Sequence, residues 1–503
     1  MTDTPLISPA ALIRRLAAVT PPDLRAAVRL RGAVTAVADG VAHAVGIDPV
    51  GSEDLVAFDS GALGMAYELE TGHTAVVLLD SETPVRAGDG VRALGRGPSV
   101  PAGPSLLGRV VDPLGRPLDG GPRLTSDSWP LFREAPLLSE RAPVTRPLLT
   151  GVMVIDAAIP IGRGQRQLIL GDRNVGKTSL ALDIIAAQRL GDVSCVYVLV
   201  GQPMSRLLGV VESLRDAGAL ANTVIVAADA AQAPGLQYLA PYAGASIAES
   251  LASRGWDALI VYDDLTKHAD AYRQLALLLG RAPGREAFPG DIFHIHAQLL
   301  ERATARNAAS GGGSITAFPL IETTDGDISA YIPTNLISIT DGQLYFDTVR
   351  FERNQRPAID IGRSVSRVGG AAQSAPMRTA ARNLRIAMSR FETLEALTQV
   401  GLDVDPATRA AVERGVLVRE LLRQPRFTPR GVAQQILALT AAGAGWLDGL
   451  GVAAVSDATW AAVGSIGPEL PDVIAALDAG LEPPDGWADR LHELVVRHLG
   501  GTP

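Results

Sequence analysis

The chain has 503 residues, of which 47% are hydrophobic and 20% are charged, and its formal net charge is -9. At ~150 residues per domain this length predicts about three domains with ample material for a buried core, and the composition excludes an intrinsically disordered chain. The negative net charge argues against a broad basic surface for nucleic acid, although a local basic channel is compatible with it.

The first 25 residues are expected to form an N-terminal arm with one short helix near residues 9–19. They lack the basic region and long apolar core of a secretory signal. No stretch of ~18 or more uninterrupted apolar residues occurs in the sequence, so we expect membrane association only through partners. The single cysteine, Cys195, excludes an internal disulfide, fits a reducing compartment and is interpreted as a buried core residue.

Residues 26–94 contain short runs of β-forming residues that are interrupted every few positions by Gly, Asp or Pro. This spacing predicts a small antiparallel barrel or sandwich, and we assign the segment as a β-barrel domain. His43 and His73 are isolated within it and are interpreted as structural histidines. The Gly- and Pro-rich residues 95–121 are interpreted as a linker into the second domain.

The second domain, residues 95–372, alternates between predicted strands and helices from about residue 150. Strands are predicted at residues 168–170, 194–200, 223–228 and 258–262, and helices at residues 204–217 and 236–254. This alternation indicates a parallel sheet with helices on both faces and a ligand at the C-terminal edge of the strands. Residues 373–503 read as a third, all-helical domain, whose last part, from about residue 451, is expected to form small helices and loops.

The strongest motif is GDRNVGKT, which follows the first of these strands and precedes an apolar helix. This is the strand-to-helix setting of a phosphate-binding loop, in which backbone N–H groups and the helix N-terminus face phosphate oxygens. Lys177 is expected to reach the terminal phosphates, and the Thr178 hydroxyl to ligate Mg²⁺. The predicted loop comprises Gly171, Asp172, Arg173, Asn174, Val175, Gly176, Lys177 and Thr178.

The third predicted strand after this loop ends in Asp263 and Asp264. An NTPase places at such a strand end the carboxylate that holds the water shell of Mg²⁺, so Asp263 is assigned to the metal site. A paired-carboxylate site with Asp264 is set aside, because adjacent residues on a strand point to opposite faces. His294 and His296 are assigned to packing, because no third metal ligand is close in the sequence.

Several long motifs resemble the α subunit of F-type, rotary ATP synthases. They are PIGRGQRQLILGDRNVGKTSLALD at residues 160–183, QYLAPYAGASIAE at 237–249, ALIVYDDLTKHADAYRQLALLLGRAPGREAFPGDIFHIHAQLLERA at 258–303, YIPTNLISITDGQLYFD at 331–347 and RPAIDIGRSVSRVGGAAQ at 356–373. The resemblance spans nearly the whole chain and weakens only in the first ~25 and last ~50 residues. It implies a multi-domain α+β fold with an N-terminal β-barrel, a central RecA-like α/β P-loop NTPase domain and a C-terminal helical bundle.

In that family three α and three β subunits alternate around a central stalk, both bind nucleotide, and only the β sites turn over. A catalytic site needs a carboxylate that polarises the attacking water, after the strand that follows the phosphate-loop helix. Gln202 stands at that position, so the resemblance implies a non-catalytic site. Arg367, in a run that includes Ser364 and Ser366, matches the arginine finger that reaches into the neighbouring β site.

The resemblance also implies ATP or ADP with Mg²⁺ as the bound cofactors. The expected contacts are Arg173, Lys177, Thr178 and Ser179 with phosphate or metal, and Arg356, Pro357 and Gln424 with the adenine. The implied partners are the β subunit in an alternating hetero-hexamer, the central-stalk γ subunit and the peripheral stalk, without nucleic acid and with membrane contact only through the ion-translocating sector. The expected location is the cytoplasmic face of the cell membrane of a bacterium or archaeon, as a peripheral protein.

Departures from the family pattern suggest a divergent branch, similar to the alternate F-type ATPases proposed to pump Na⁺. Arg426 stands where a second adenine-side glutamine is expected, which puts the affinity for the base in question. Two other functions stay open at this point. A self-sufficient hexameric motor of the secretion type would want Glu in place of Gln202, and a Rho-like RNA translocase would want exposed aromatic and basic residues in its N-terminal module.

Overall fold

The computed structural model of the chain describes residues 31–80, 83–399 and 405–499. The chain divides into two compact units, one ending at Gly97 and one beginning at Pro98. The predicted N-terminal arm and its helix near residues 9–19 lie outside the described residues. Within those ranges, no helix has the length and apolar character that a membrane span requires.

The first unit contains a closed antiparallel barrel, as the sequence predicts. Its neighbouring strands follow the order β1-β2-β5-β4-β3-β6. They are β1 (Arg31–Ala38), β2 (Val41–Val45), β3 (Leu55–Phe58), β4 (Leu63–Glu70), β5 (His73–Leu78) and β6 (Gly90–Ala93). Because side chains alternate between the two faces of a strand, residues such as Val34, Val56 and Val76 converge on one buried core.

The two barrel histidines are not isolated in the fold. His43 on β2 and His73 on β5 stack, and Nδ1 of His43 lies 2.9 Å from Nε2 of His73. The two histidines are far apart in the sequence, so their contact could not be predicted from it. They meet because β2 and β5 are neighbours in the barrel. The interpretation of both as structural residues is consistent with this contact.

Most of the predicted linker belongs to the second unit's structure, which corrects the sequence interpretation. Strand β7 (Ser99–Pro101) pairs with β9 (Ser128–Pro130), and β8 (Val110–Val111) joins the edge of the main sheet. Both valines of β8 are buried. The glycines and prolines between these short strands make turns, so their density indicated breaks in the strands and not an unstructured connection.

The centre of the second unit is an eight-stranded sheet in the order β16-β15-β10-β14-β13-β11-β12-β8. Its remaining strands are β10 (Leu168–Gly171), β11 (Val193–Gln202), β12 (Thr223–Asp229), β13 (Asp257–Asp263), β14 (Ser314–Glu322), β15 (Gly342–Phe346) and β16 (Val365–Ser366). Neighbouring strands run parallel except for the short β16, which is antiparallel to β15. Consecutive residues along β11 and β13 are buried, so both faces of the sheet are covered.

Helices connect these strands, and the two that were predicted at residues 204–217 and 236–254 agree with the structure to within two residues at each end. The connecting helices are α1 (Met153–Ala158), α2 (Lys177–Ala187), α3 (Met204–Asp216), α4 (Pro234–Ala252), α5 (Leu265–Leu278), α6 (Ile292–Leu300), α7 (Tyr331–Ile339) and α8 (Thr348–Glu352). On α6, His296 is fully buried while His294 is exposed, so the two rings do not form a pair. The packing interpretation of His296 is confirmed.

After residue 372 the described chain is helical, as predicted. The helices are α9 (Ala375–Ala381), α10 (Leu384–Gln399), α11 (Pro406–Leu421), α12 (Val432–Gly443), α13 (Val452–Ile466), α14 (Pro471–Asp478) and α15 (Trp487–Leu499). The last three are more regular than the predicted small helices and loops, because apolar residues such as Val455, Val473 and Leu491 pack into the same core as α12. Gln435 on α12 donates to the buried carboxylate of Asp156 on α1 at 2.8 Å, which ties this bundle to the sheet domain.

Candidate functional site

The GDRNVGKT loop joins β10 to α2 at the C-terminal edge of the sheet. Gly171 and Gly176 have φ values of 154° and 102°, which favour glycine, and a Cβ on Gly171 would come within 2.6 Å of Phe346. Gly176 is the N-cap residue of α2, so the first N–H groups of this helix border the loop. This geometry provides the backbone donors and helix end that bind phosphate.

Lys177 lies across this loop. Its Nζ donates to the carbonyl oxygens of Gly171 at 2.7 Å and Asp172 at 2.6 Å. Burial lowers the pKa of Lys177, while the carboxylates of Glu322 and Asp264 oppose that shift. The ammonium group therefore lies in the loop with acidic residues around it, in position to exchange the carbonyl oxygens for phosphate oxygens.

A hydroxyl and a carboxylate meet beside Lys177. Thr178 Oγ1 donates to Asp263 Oδ2 at 2.7 Å, and the Tyr197 hydroxyl donates to the same carboxylate oxygen. Magnesium prefers such oxygen ligands and takes few of them from the protein, with phosphates and water filling the rest of its shell. The donor set therefore fits Mg²⁺, with Thr178 and Asp263 as the residues that would hold it.

Gln202 ends β11 on the far side of this cleft. Its Nε2 donates to Asp264 Oδ2 at 3.1 Å, and Asp264 Oδ1 accepts from the backbone N–H of Lys267 at 2.8 Å. Burial and the neighbouring Asp263 raise the pKa of Asp264 to about 7. The sequence argument that Asp263 and Asp264 face apart is wrong, because β13 ends at Asp263 and Asp264 caps α5. Both carboxylates therefore line one cleft.

The cleft has a volume of about 770 Å³. We name it the phosphate cleft; its walls include Arg173, Asn174, Gly176, Lys177, Thr178, Ser179, Gln202, Arg206, Asp263, Asp264 and Glu322. Arg173 donates to Glu322 at 3.1 Å. Asp172 instead faces the protein, where it accepts from Thr323 Oγ1 at 2.6 Å, and Val175 is buried in the core. These two loop residues shape the loop from behind.

A second cavity, of about 510 Å³, lies on the other side of the loop. We name it the base pocket; Asn174, Gly176 and Ser179 line both cavities. Arg356, which is followed by Pro357, stacks over Phe351 at 3.9 Å in its wall. Arg423, Arg426 and Arg430 also line it, so this pocket is rich in cations.

Gln424 lines the base pocket, but its amide is engaged by the backbone. Its Nε2 donates to the carbonyl oxygens of Gly151 at 2.7 Å and Thr428 at 2.8 Å, and its Oε1 accepts from the N–H of Met153 at 3.2 Å. These bonds join the segment after α11 to the start of α1. Its contact with adenine stays a prediction.

The Ser364–Arg367 segment lies at the opposite edge of the sheet. Gly342, at the start of β15, pairs with Ser366 of β16, whereas Phe346, at the end of β15, lies beside Gly171. The Arg367 side chain is exposed and forms no hydrogen bond or ion pair with any residue in the described ranges. Its predicted role as an arginine finger stays a prediction.

The two serines of this segment hold its backbone in place. Ser364 is fully buried; its hydroxyl donates to the carbonyl of Asp360 and accepts from the N–H of Tyr345. Ser366 Oγ donates to the carbonyl of Pro160 at 2.7 Å. The geometry gives both hydroxyls positioning contacts, and their predicted part in the chemistry stays a prediction.

Comparison with known proteins places this site in a family. Residues 151–366 match the nucleotide-binding domain of the ATP synthase alpha/beta family, and residues 373–498 match the C-terminal domain of the ATP synthase alpha/beta chain. The chain belongs to the ATP synthase alpha/beta family. The first matched range begins just before α1 and ends at Ser366, so it contains the phosphate cleft and most of the Ser364–Arg367 segment.

Relatives within this family carry the α name. The ATP synthase subunit alpha 2 of Syntrophotalea carbinolica is 47% identical over 472 residues, which are 94% of this chain and 90% of the relative. The ATP synthase subunit alpha of Dehalococcoides mccartyi is 49% identical over 428 residues, 85% of each chain. That of Burkholderia pseudomallei, also named alpha 2, is 49% identical over 478 residues, 95% of this chain and 71% of the relative. The resemblance to α subunits is confirmed.

Some residues of the site in this ATP synthase family member were missed by sequence reasoning. Arg206 lies in the phosphate cleft and donates to Thr178 Oγ1 at 2.8 Å. Asp183 lies in the base pocket, where it accepts from the N–H of Phe427 at 2.9 Å. Arg206 is four residues after Gln202 in the first turn of α3, but its contact with Thr178 joins residues 28 positions apart, so no local pattern could have indicated it.

Proposed function

We propose that this chain is the non-catalytic, nucleotide-binding α subunit in the head of an F-type ATP synthase. It binds MgATP or MgADP at the phosphate cleft without turning it over. It supplies Arg367 to the catalytic site of a neighbouring β subunit. In this way it takes part in the coupling of ATP synthesis or hydrolysis to the movement of protons or sodium ions across a membrane.

The observation that carries this proposal is the neutral amide of Gln202. The phosphate cleft has a cradle for phosphate and a donor set that fits magnesium, but Gln202 lies where a water-activating carboxylate would be needed. An amide cannot accept a proton from water at neutral pH, so the general-base step is missing. We assign Asp264 a structural role instead, because its carboxylate caps α5 at the backbone N–H of Lys267 and accepts from the amide of Gln202.

The location of Arg367 supports a role in trans. Gly342, which pairs with Ser366, and Phe346, which lies beside Gly171, are four steps apart on β15, a distance of ~13 Å along the strand. An exposed guanidinium without a partner in the described part of the chain is free to meet a phosphoryl group bound elsewhere. Its planar, permanent charge suits the stabilisation of a phosphoryl-transfer transition state.

The proposed partners follow from the family and from the names of its relatives. They are the β subunit in an alternating hetero-hexamer, the central-stalk γ subunit and the peripheral stalk. The proposed location is the cytoplasmic face of the cell membrane, with contact to the bilayer only through the ion-translocating sector. The structure offers no observation that favours a secretion-type motor or an RNA translocase.

The test compares the purified chain alone with the chain assembled with its β-type partner. We expect tight binding of MgATP by the chain alone, no turnover alone, and turnover after assembly. Arg367→Lys in the assembled head is expected to abolish most of that turnover. Robust hydrolysis by the isolated chain would contradict the non-catalytic assignment and favour a self-sufficient motor.

A further inference from the structure

Arg206 lies in the first turn of helix α3, and its guanidinium lies in the phosphate cleft. Its Nη2 donates to Thr178 Oγ1 at 2.8 Å. Thr178 in turn donates to Asp263, so the hydroxyl is shared between a cation and a carboxylate. Arg206 is therefore in contact with the one loop hydroxyl that is suited to hold a metal ion.

The charge of Arg206 is not balanced by an ion pair. No carboxylate in the described ranges comes within salt-bridge distance of its guanidinium, whereas Arg173, on the other wall of the cleft, pairs with Glu322 at 3.1 Å. The present acceptor of Arg206 is a neutral hydroxyl. A phosphate oxygen would give a stronger, charge-assisted bond, and a guanidinium can donate two such bonds in parallel.

The geometry also indicates which phosphate is within reach. Thr178 and Asp263 are the residues that would hold a magnesium ion, and such an ion would accompany the terminal phosphates of a nucleoside triphosphate. Gln202, four residues before Arg206, lines the same cleft as Lys177, Thr178 and Asp263. Arg206 does not line the base pocket on the other side of the loop. The guanidinium thus lies at the terminal-phosphate side of the site.

We propose that Arg206 binds the terminal phosphate of a nucleoside triphosphate and makes this site retain the triphosphate in preference to the diphosphate. This inference rests on the proposed function for the presence of a nucleotide. It adds the residue that distinguishes the triphosphate from the diphosphate. Together with the neutral Gln202, a terminal-phosphate ligand makes the site one that holds its triphosphate without splitting it.

The experiment measures the dissociation constants of MgATP and MgADP for the wild-type chain and for Arg206→Ala, Arg206→Lys and Arg215→Ala. Arg215 is the matched control, since it is an exposed arginine at the far end of the same helix. A charge-assisted hydrogen bond predicts a 10- to 100-fold loss of MgATP affinity in Arg206→Ala, in line with its usual order of magnitude. MgADP affinity is expected to change by less than about threefold by the same reasoning, and Arg206→Lys to lie between.

The ratio of the two affinities decides the outcome. An unchanged ratio in Arg206→Ala, with wild-type binding intact, would overturn the role of Arg206 and leave the proposed function standing. A wild-type chain that binds neither nucleotide would overturn both. Equal thermal unfolding of Arg206→Ala and Arg215→Ala, in the absence of nucleotide, verifies that the measured loss comes from the contact and not from unfolding.

Discussion

The two ends of strand β15 differ in whether the polar side chains beside them find partners within the chain. At Phe346 the strand lies beside the phosphate loop, where Lys177, Thr178 and Gln202 all hydrogen-bond within the chain. At Gly342 it pairs with Ser366, and the next residue, Arg367, has no side-chain partner in the described part of the chain. The first region therefore satisfies its polar side chains within the chain, whereas only the proposed function supplies a partner for Arg367.

This difference has a structural cause. The Ser364–Arg367 segment runs antiparallel to β15, and its Ser366 pairs with Gly342, the first residue of β15, so Arg367 follows at the amino edge of the parallel strands. The phosphate loop emerges at the carboxyl edge, where open α/β sheets bind their ligands. Substitutions at the two edges should therefore separate nucleotide binding by this chain from turnover by the assembled head.

The largest expected effect is that of Arg367→Lys on turnover in the assembled head. We expect a loss of about 10³-fold, because an arginine finger contributes 10³–10⁵ where it acts and lysine lacks the planar fork. The measurement is steady-state ATP hydrolysis, with Arg382→Lys as a control at another exposed arginine. An equal loss of MgATP affinity in the isolated chain would show that the two edges are not independent.

Lys177→Ala is expected to weaken nucleotide binding by the isolated chain, which Arg367→Lys should leave unchanged. The ammonium group of Lys177 makes charge-assisted contacts, so the isolated chain should bind MgATP ~10- to 100-fold more weakly. Equilibrium titration with MgATP measures this loss, and Arg367→Lys is the control, since it should leave the affinity unchanged. An affinity that survives the loss of Lys177 would place the nucleotide elsewhere.

A smaller effect is expected from Ser366→Ala, which tests whether the finger must be held. Ser366 Oγ bonds to Pro160 O, and it also accepts from the N–H of Gly369 at 3.1 Å. Because small displacements of a catalytic group are costly, turnover in the assembled head should fall ~10-fold, with nucleotide affinity of the isolated chain unchanged. Ser338→Ala, at an exposed serine that bonds only within α7, is the control. Wild-type turnover in Ser366→Ala would assign the holding of Arg367 to other contacts.

The smallest expected effect concerns Asp183, on the phosphate-loop helix. Burial raises the pKa of Asp183 from its usual 3.8 to about 6 in the folded chain. The folded state therefore binds more protons than the unfolded state between these two values, so the charged carboxylate lowers stability fully above pH 6 and less as the pH falls. Asp183→Asn should raise the free energy of unfolding by about 2 kcal/mol at pH 8 and by little near pH 4.

Chemical denaturation of the nucleotide-free chain across this pH range measures the effect. The control is Asp216→Asn, at an exposed carboxylate at the end of α3. The asparagine retains an oxygen that can accept from Phe427, so the hydrogen bond itself should persist. If the variant and the wild type differed in free energy of unfolding by the same amount at every pH, the effect would come from that bond and not from the buried charge.

Much of the fold and of the loop could be predicted because local patterns carry them. The strand-to-helix setting of GDRNVGKT identified the phosphate loop, and the apolar runs predicted four strands and two helices of the sheet domain to within two residues. The family resemblance added Gln202 and Arg367, which no periodicity would single out. The prediction of a linker at residues 95–121 failed because their glycines and prolines were read as turns alone. Strand β8 lies in this segment and forms by pairing with β12.

The phosphate loop, the alternation of strands and helices after it and the amide side chain of Gln202 could all be identified in the sequence, because each depends on residues that are close together in the chain. The tertiary structure alone decided that Asp264 shares a cleft with Asp263, that Arg206 contacts Thr178, and that Arg367 emerges at the edge away from its own phosphate loop. These facts depend on where a strand ends and which strands become neighbours. Such pairings join residues far apart in the chain, and no local pattern specifies them.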